Sequence, residues 1–158
     1  MNNKKLKKML PYVIFVLGLL ATLTIFLPAL TLEGETYRGI DLVFGRELIE
    51  FDFLGEEVAS AAVAMNVYAV VAYFAPIFAG VFTLIFKRGN TFALAMFVLS
   101  GVMFFILNDY IEIEYEVLGS TNTVVPEWNN AFGVLVGAFA AIVAAIGEML
   151  HISMTDKH

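Results

Sequence analysis

Four apolar runs dominate this chain, at residues 10–30, 60–86, 91–107 and 130–150. Most of them match the roughly 20 residues that a helix needs to cross the hydrocarbon core of a bilayer. They leave 60% of the 158 residues hydrophobic and only 15% charged, too little charge to cover the surface of a soluble domain. Lipid is therefore the predicted solvent for most of the chain. A segment in lipid must pair every backbone N–H and C=O within the protein, so the four runs are predicted to be helices.

Lys4, Lys5, Lys7 and Lys8 precede the first run, as in a signal peptide. That run is longer than the ~7–15 residues of a signal core, and no small-residue cleavage site follows it, so an uncleaved span is predicted. Pro11 is placed at its start, where a missing N–H costs little. Pro76 falls inside the second run, where it must free a backbone carbonyl and kink the helix near Val71–Ala72.

The charges are segregated by segment. Basic residues gather before the first run, in the turn at 87–90 (Lys87, Arg88), and after the fourth (Lys157). Segment 31–59 has Arg38 and Arg46 against Glu33, Glu35, Asp41, Glu47, Glu50, Asp52, Glu56 and Glu57. Segment 108–129 has Asp109, Glu112, Glu114, Glu116 and Glu127 with no basic residue. The positive-inside rule then predicts a multi-pass protein of the cytoplasmic membrane with both termini inside and both acidic segments outside. Basic inner segments suit anionic lipid headgroups, and no nucleic-acid partner is implied.

The outer segments have the period of strands. From Tyr110 to Leu118, Glu112, Glu114 and Glu116 alternate with Ile111, Ile113, Tyr115 and Val117, which predicts a half-buried strand. The turn 119–122 leads into a second strand at 123–125. Residues 47–54 alternate similarly, and 31–38 can fold back around Gly34. The predicted fold is thus an all-α transmembrane four-helix bundle with one small antiparallel β-sheet cap from the two outer loops. Trp128 is expected to anchor at the membrane interface. The segment 39–45 is expected to be a short helix or an apolar wedge.

Candidate sites are few. Gly133, Gly137, Ala141 and Ala145 form a small-residue stripe on the fourth span, suited to close helix packing within one chain or between chains. Ala72, Ala75 and Ala79 on the second span are its expected counterpart. Asn66 is expected to hydrogen-bond between helices; with Thr22, Thr24, Thr83 and Ser100 it could instead line a polar path. Glu148 and His151 lie one helical turn apart and could hold a metal or proton, but two ligands are too few. Glu148 is expected to reach water or Lys87 and Arg88. Glu112, Glu114 and Glu116, about 7 Å apart along one strand face, could collect a cation or a basic partner, or simply keep the sheet soluble.

Cysteine is absent, which excludes disulfides, thiolate metal sites and cysteine nucleophiles. No acid–base pair lies deep in a span and no phosphate-binding loop is present, so neither enzymatic activity nor a cofactor is expected. The layout, a strand-bearing first outer loop, a tight inner turn and a shorter second loop, resembles the claudin-type tetraspan plan. The claudin first-loop signature, a tryptophan followed by two cysteines, is missing: the single tryptophan is Trp128. The segment Gly39-Ile-Asp-Leu-Val-Phe-Gly45 resembles outer loops of small bacterial four-span proteins of unassigned function. The expected function is a non-enzymatic membrane subunit or assembly protein, acting as a homo-oligomer or with another membrane protein. The alternative is an oligomeric channel or transport component with a cation-attracting acidic mouth.

Overall fold

The computed structural model describes residues 3–53, 56–86, 89–117 and 119–155, with the backbone alone at 3–4, 50–53 and 56–58. Lys87, Arg88 and Lys157, on which the charge argument partly rests, lie outside the described residues. In chain order the elements are α1 (Asn3–Leu23), β1 (Pro28–Leu32), β2 (Glu35–Arg38), α2 (Gly39–Phe44), β3 (Arg46–Phe53) and β4 (Glu56–Val63). There follow α3 (Val67–Phe86), α4 (Thr91–Ile106), β5 (Ile113–Val117), β6 (Ser120–Val124), β7 (Asn129–Asn130) and α5 (Phe132–Thr155). Helices α1, α3, α4 and α5 are each long and apolar enough to cross a membrane, α1 and α4 with the 3-10 turns that end them.

Helix limits shift from the apolar runs for local reasons. Helix α1 begins near the lysines, so Pro11 lies inside it rather than at its start. The helix tightens into a 3-10 turn at Thr24–Phe26 and stops at Leu27, whose backbone is extended. The ring of Pro28 disfavours a helical residue before it. The run predicted to enter a helix at residue 60 instead begins as strand β4, and α3 starts only at Val67. Alanine favours helix, but pairing to a strand on each side overrides that weak preference in Ser60-Ala-Ala-Val63. Asn66 is consequently outside the helix and caps it: its Oδ1 accepts the N–H of Ala69 at 3.1 Å.

The long helices form an antiparallel square in which α1 and α4 each touch both α3 and α5. Helices α3 and α5 are diagonal and approach each other little, so α3 packs chiefly on α1 and α4 rather than on the stripe of α5. Gly18 of α1 packs onto the backbone carbonyl of Pro76 instead, with no room for a side chain. Proline at 76 has no N–H to give the carbonyl of Ala72, four residues earlier. Ser100 of α4 supplies the missing donor, its hydroxyl reaching that carbonyl at 2.7 Å with the whole side chain buried. Thr24 donates to the carbonyl of Ala21, and the single Thr83 hydroxyl proton is shared between the Ala79 carbonyl, at 3.1 Å, and the carboxylate of Glu148.

Beyond one end of the bundle the chain forms two small antiparallel sheets, where one was expected. The first has the order β2-β1-β7, the second β3-β4-β5-β6. Each combines strands from both of the long connecting segments, because β7 and the β5–β6 hairpin follow α4 while the other strands precede α3. The β1–β2 turn is Glu33-Gly34, both with positive φ, the two-residue geometry that matches strand twist. Between the sheets and the bundle, α2 buries Leu42 and Val43, and Leu42 accepts the N–H of Asn66 at 3.1 Å. Tyr73 and Phe104 pack edge to face below it, ring centroids 4.9 Å apart.

Ser100→Ala is expected to lower the unfolding free energy by about 1 kcal/mol, the usual scale for such a bond in a membrane protein. Pro76→Ala restores an N–H for the Ala72 carbonyl, so Ser100→Ala costs less in that background. A double-mutant cycle in mixed micelles checks this; equal costs in both backgrounds would contradict the pairing.

Candidate functional site

The second sheet separates two chemistries by register. Neighbouring positions across it run Ile49–Ala61–Tyr115–Asn122 and Arg46–Val63–Ile113–Val124 on one face. The other face runs Glu47–Ala62–Glu114–Thr123 and, further along, Ser60–Glu116–Thr121. Alternation along each strand forces this division. The strand predicted to be half-buried is covered only at its beginning: Ile111 is fully buried and Ile113 partly, but Tyr115 and Val117 are 39% and 47% exposed. Every residue of β6 is exposed. Among the described residues no helix or loop covers either face there, because burial of the apolar face ends with Ile113.

Glu112, Glu114 and Glu116 all project into solvent from this region. Glu114 borders a shallow depression of about 420 Å³ that is also lined by Arg46, Glu47, Ala62 and Met65. Arg46 is engaged elsewhere, 3.5 Å from the Asp41 carboxylate and with its guanidinium 5.6 Å from the Tyr37 ring centroid. Tyr37 stands edge-on to Trp128 at 5.1 Å. Trp128 is buried, and its indole N–H donates to the carbonyl of Ile111 at 2.8 Å. It therefore joins the two sheets within the protein and is not a free anchor at an interface. Burial pushes the Tyr37 phenol above its ordinary pKa, against the opposing pull of Arg46.

Asn66 makes a second bond, its amide donating to the carbonyl of Tyr110 at 2.6 Å. It thereby fastens the start of α3 to the residues that leave α4, a role outside any polar path. The small-residue stripe is consumed inside the chain. Gly133 lies against the carbonyl of Pro28, and a methyl group on Gly137 would meet Phe104 at 2.6 Å and the Thr24 hydroxyl at 2.8 Å. Ala141 is fully buried and Ala145 nearly so.

At the opposite end of the bundle is a polar cluster that the sequence placed at the water's edge. Glu148 and His151 are both fully buried. One Glu148 oxygen accepts the Thr83 hydroxyl at 2.9 Å, the other the backbone N–H of Asn90 at 2.7 Å. Asn90 in turn caps α4, accepting the N–H of Phe92 at 2.9 Å. The carboxylate thus sits at the positive end of α4 and closes the connection from α3. His151 Nδ1 is 3.9 Å from the carboxylate, beyond hydrogen-bonding range, and neither ring nitrogen has a partner among the described residues. In sequence Thr83 reads only as a path-lining hydroxyl; a cap residue, Asn90, just before an apolar run is the available signal for this end. No group of three potential metal-binding side chains occurs among the described residues.

Comparison with known proteins returned no matching family model, no matching curated protein and no matching solved structure.

Glu148→Ala is expected to destabilise the protein by about 1–3 kcal/mol, because the Asn90 N–H loses its acceptor, while the Thr83 hydroxyl still has the Ala79 carbonyl within reach. His151→Leu, close to it in volume, removes no hydrogen bond found among the described residues and is expected to cost less than about 1.5 kcal/mol. Unfolding in detergent measures both; the reverse ranking would refute this division of roles.

Proposed function

We propose that this chain is a non-enzymatic integral membrane subunit that holds an acidic sheet outside the cytoplasmic membrane for interaction with another protein. The four long helices present apolar residues outward, among them Val16, Leu20, Phe78, Phe105, Phe139 and Ile146, a surface suited to lipid. The positive-inside distribution of basic residues orients the sheets outward and both termini inward. The observation that carries the reading is the β5–β6 end of the second sheet, where Tyr115, Val117 and Val124 on one face and Glu114 and Glu116 on the other are all exposed. An isolated hairpin is only marginally stable by itself. Its attachment through β4 to the bundle is what a fixed recognition element requires.

A channel finds less support. The interior of the bundle is filled by Ile14, Phe97, Phe104 and closely set alanines. Its polar side chains are chiefly spent on helix ends and backbone carbonyls. A conducting path would have to run between copies.

Single-cysteine labelling in intact cells tests the orientation without background from native cysteines. Ser120→Cys is expected to react with an impermeant reagent and Ser153→Cys only after the cells are opened. Both residues are exposed, whereas Gly89 packs against the backbone of Ile152 and would be distorted by substitution. The reverse labelling pattern would overturn the topology. Native mass spectrometry after gentle extraction then tests the subunit role: a stoichiometric second protein is expected, and a monomer or a homo-oligomer alone would contradict it.

A further inference from the structure

The second sheet has two edges, β3 and β6, and they are guarded differently. Strand β3 carries Arg46 and Glu47 and breaks register with β4 twice, between Glu47 and Ile49 and between Phe51 and Asp52. Charges and bulges of this kind obstruct the addition of another strand. Strand β6 has neither. Its sequence, Ser-Thr-Asn-Thr-Val, contains no charge and no proline, its register with β5 is continuous from Ser120 to Val124, and all its residues are exposed. Its outer side is a row of backbone donors and acceptors with no neighbouring strand among the described residues, the template used in strand addition.

The register also determines what an added strand would meet. On one face, Val124 is the neighbour of Ile113, and Asn122 and Ser120 are the neighbours of Tyr115 and Val117. Residues of the incoming strand on that side would lie beside Ser120, Asn122 and Val124, from where a long apolar side chain reaches toward the exposed Tyr115 and Val117 one strand further on. On the other face, Thr121 and Thr123 stand between the incoming strand and Glu116 and Glu114. Two strand spacings amount to about 9–10 Å, a gap that a lysine or arginine side chain reaches across a short threonine. Among the described residues no ion pair engages Glu112, Glu114 or Glu116.

We propose that β6 is a docking edge for an extended segment of another protein in which basic and apolar residues alternate. This deepens the reading that the sheet is displayed for a partner, and rests on it. Charge complementarity selects this occupant over a second copy. Antiparallel pairing of β6 with its own copy puts the glutamates of both sheets on the same face, with nothing to neutralise them; a basic strand neutralises them.

The test uses the full chain in lipid nanodiscs and a fluorescent peptide of alternating lysine and valine. Its controls are a peptide of the same composition in two blocks and one of alternating glutamate and valine. Thr121→Lys/Thr123→Lys places each new cation opposite Glu116 or Glu114, which keeps the hairpin paired while cancelling its acidic face. Glu114→Gln/Glu116→Gln cancels the charge by another route, so loss of folding in one variant does not decide the matter. The alternating basic peptide is expected to bind roughly tenfold or more tightly than the block peptide, and both variants to weaken it by about tenfold. Equal binding of the two basic peptides would reduce the effect to charge attraction, and unchanged binding by both variants or no binding at all would also overturn the proposal. A homodimer that either variant dissociates would assign the edge to a second copy and overturn it likewise. Peptide binding in nanodiscs does not depend on cellular orientation, so its failure is distinct from a failed labelling result.

Discussion

Backbone pairing in an apolar setting is the constraint on which this structure depends. A helix in lipid satisfies its own interior N–H and C=O groups, but its ends and any proline leave some unpaired, and no water is at hand to meet them. Several such gaps have a named solution among the described residues. The Ala72 carbonyl, released by Pro76, receives the Ser100 hydroxyl. The start of α3 is capped by Asn66 and the start of α4 by Asn90. The Asn90 N–H itself goes to the carboxylate of Glu148. Polar residues that at first suggest a permeation path thus chiefly keep the bundle closed.

Close packing follows from the same economy of polar groups. Gly18 meets the backbone at Pro76, and Gly133 and Gly137 meet the α1 end and Phe104, so the helices approach through small residues. Helix α5 then has its glycine and alanine stripe turned inward, leaving Phe139, Ile142, Ile146 and Met149 outside. The sheet end obeys a different rule. There the backbone is satisfied by strand pairing, and that pairing stops at β6. The bundle closes its polar groups internally; the second sheet leaves two edges, of which β3 carries charges and register breaks and β6 carries neither.

Much of this was legible in the sequence because it depends on period. The four apolar runs marked four helices, the acidic–apolar alternation of 111–117 marked β5, and Pro76 marked a freed carbonyl. What periodicity does not carry is partnership. Ser60-Ala-Ala-Val63 reads as the beginning of an apolar helix, and only the strands on both its sides make it β4. Two sheets arise where one was expected because β1 pairs with β7, a two-residue strand too short to leave a pattern. Trp128 looked like an interface anchor from its place beside a span, whereas its indole donates into the protein. Glu148 lay near the limit of an apolar run, and its burial depends on Thr83 and Asn90, distant in sequence. The roles of Gly133, Gly137, Ala141 and Ala145 likewise turn on which helix lies opposite, and the diagonal placement of α3 from α5 is set by the whole bundle.

Hydrogen–deuterium exchange of the protein in lipid nanodiscs addresses the central claim directly, since it reads backbone pairing by segment. The account predicts slow exchange through α1, α3, α4 and α5, including the turn around Ala72 and Pro76, and fast exchange at alternate residues of β6 beside a slower β5. Rapid exchange across the interior of α3 and α4, or uniform protection of β6 in the isolated protein, would contradict it.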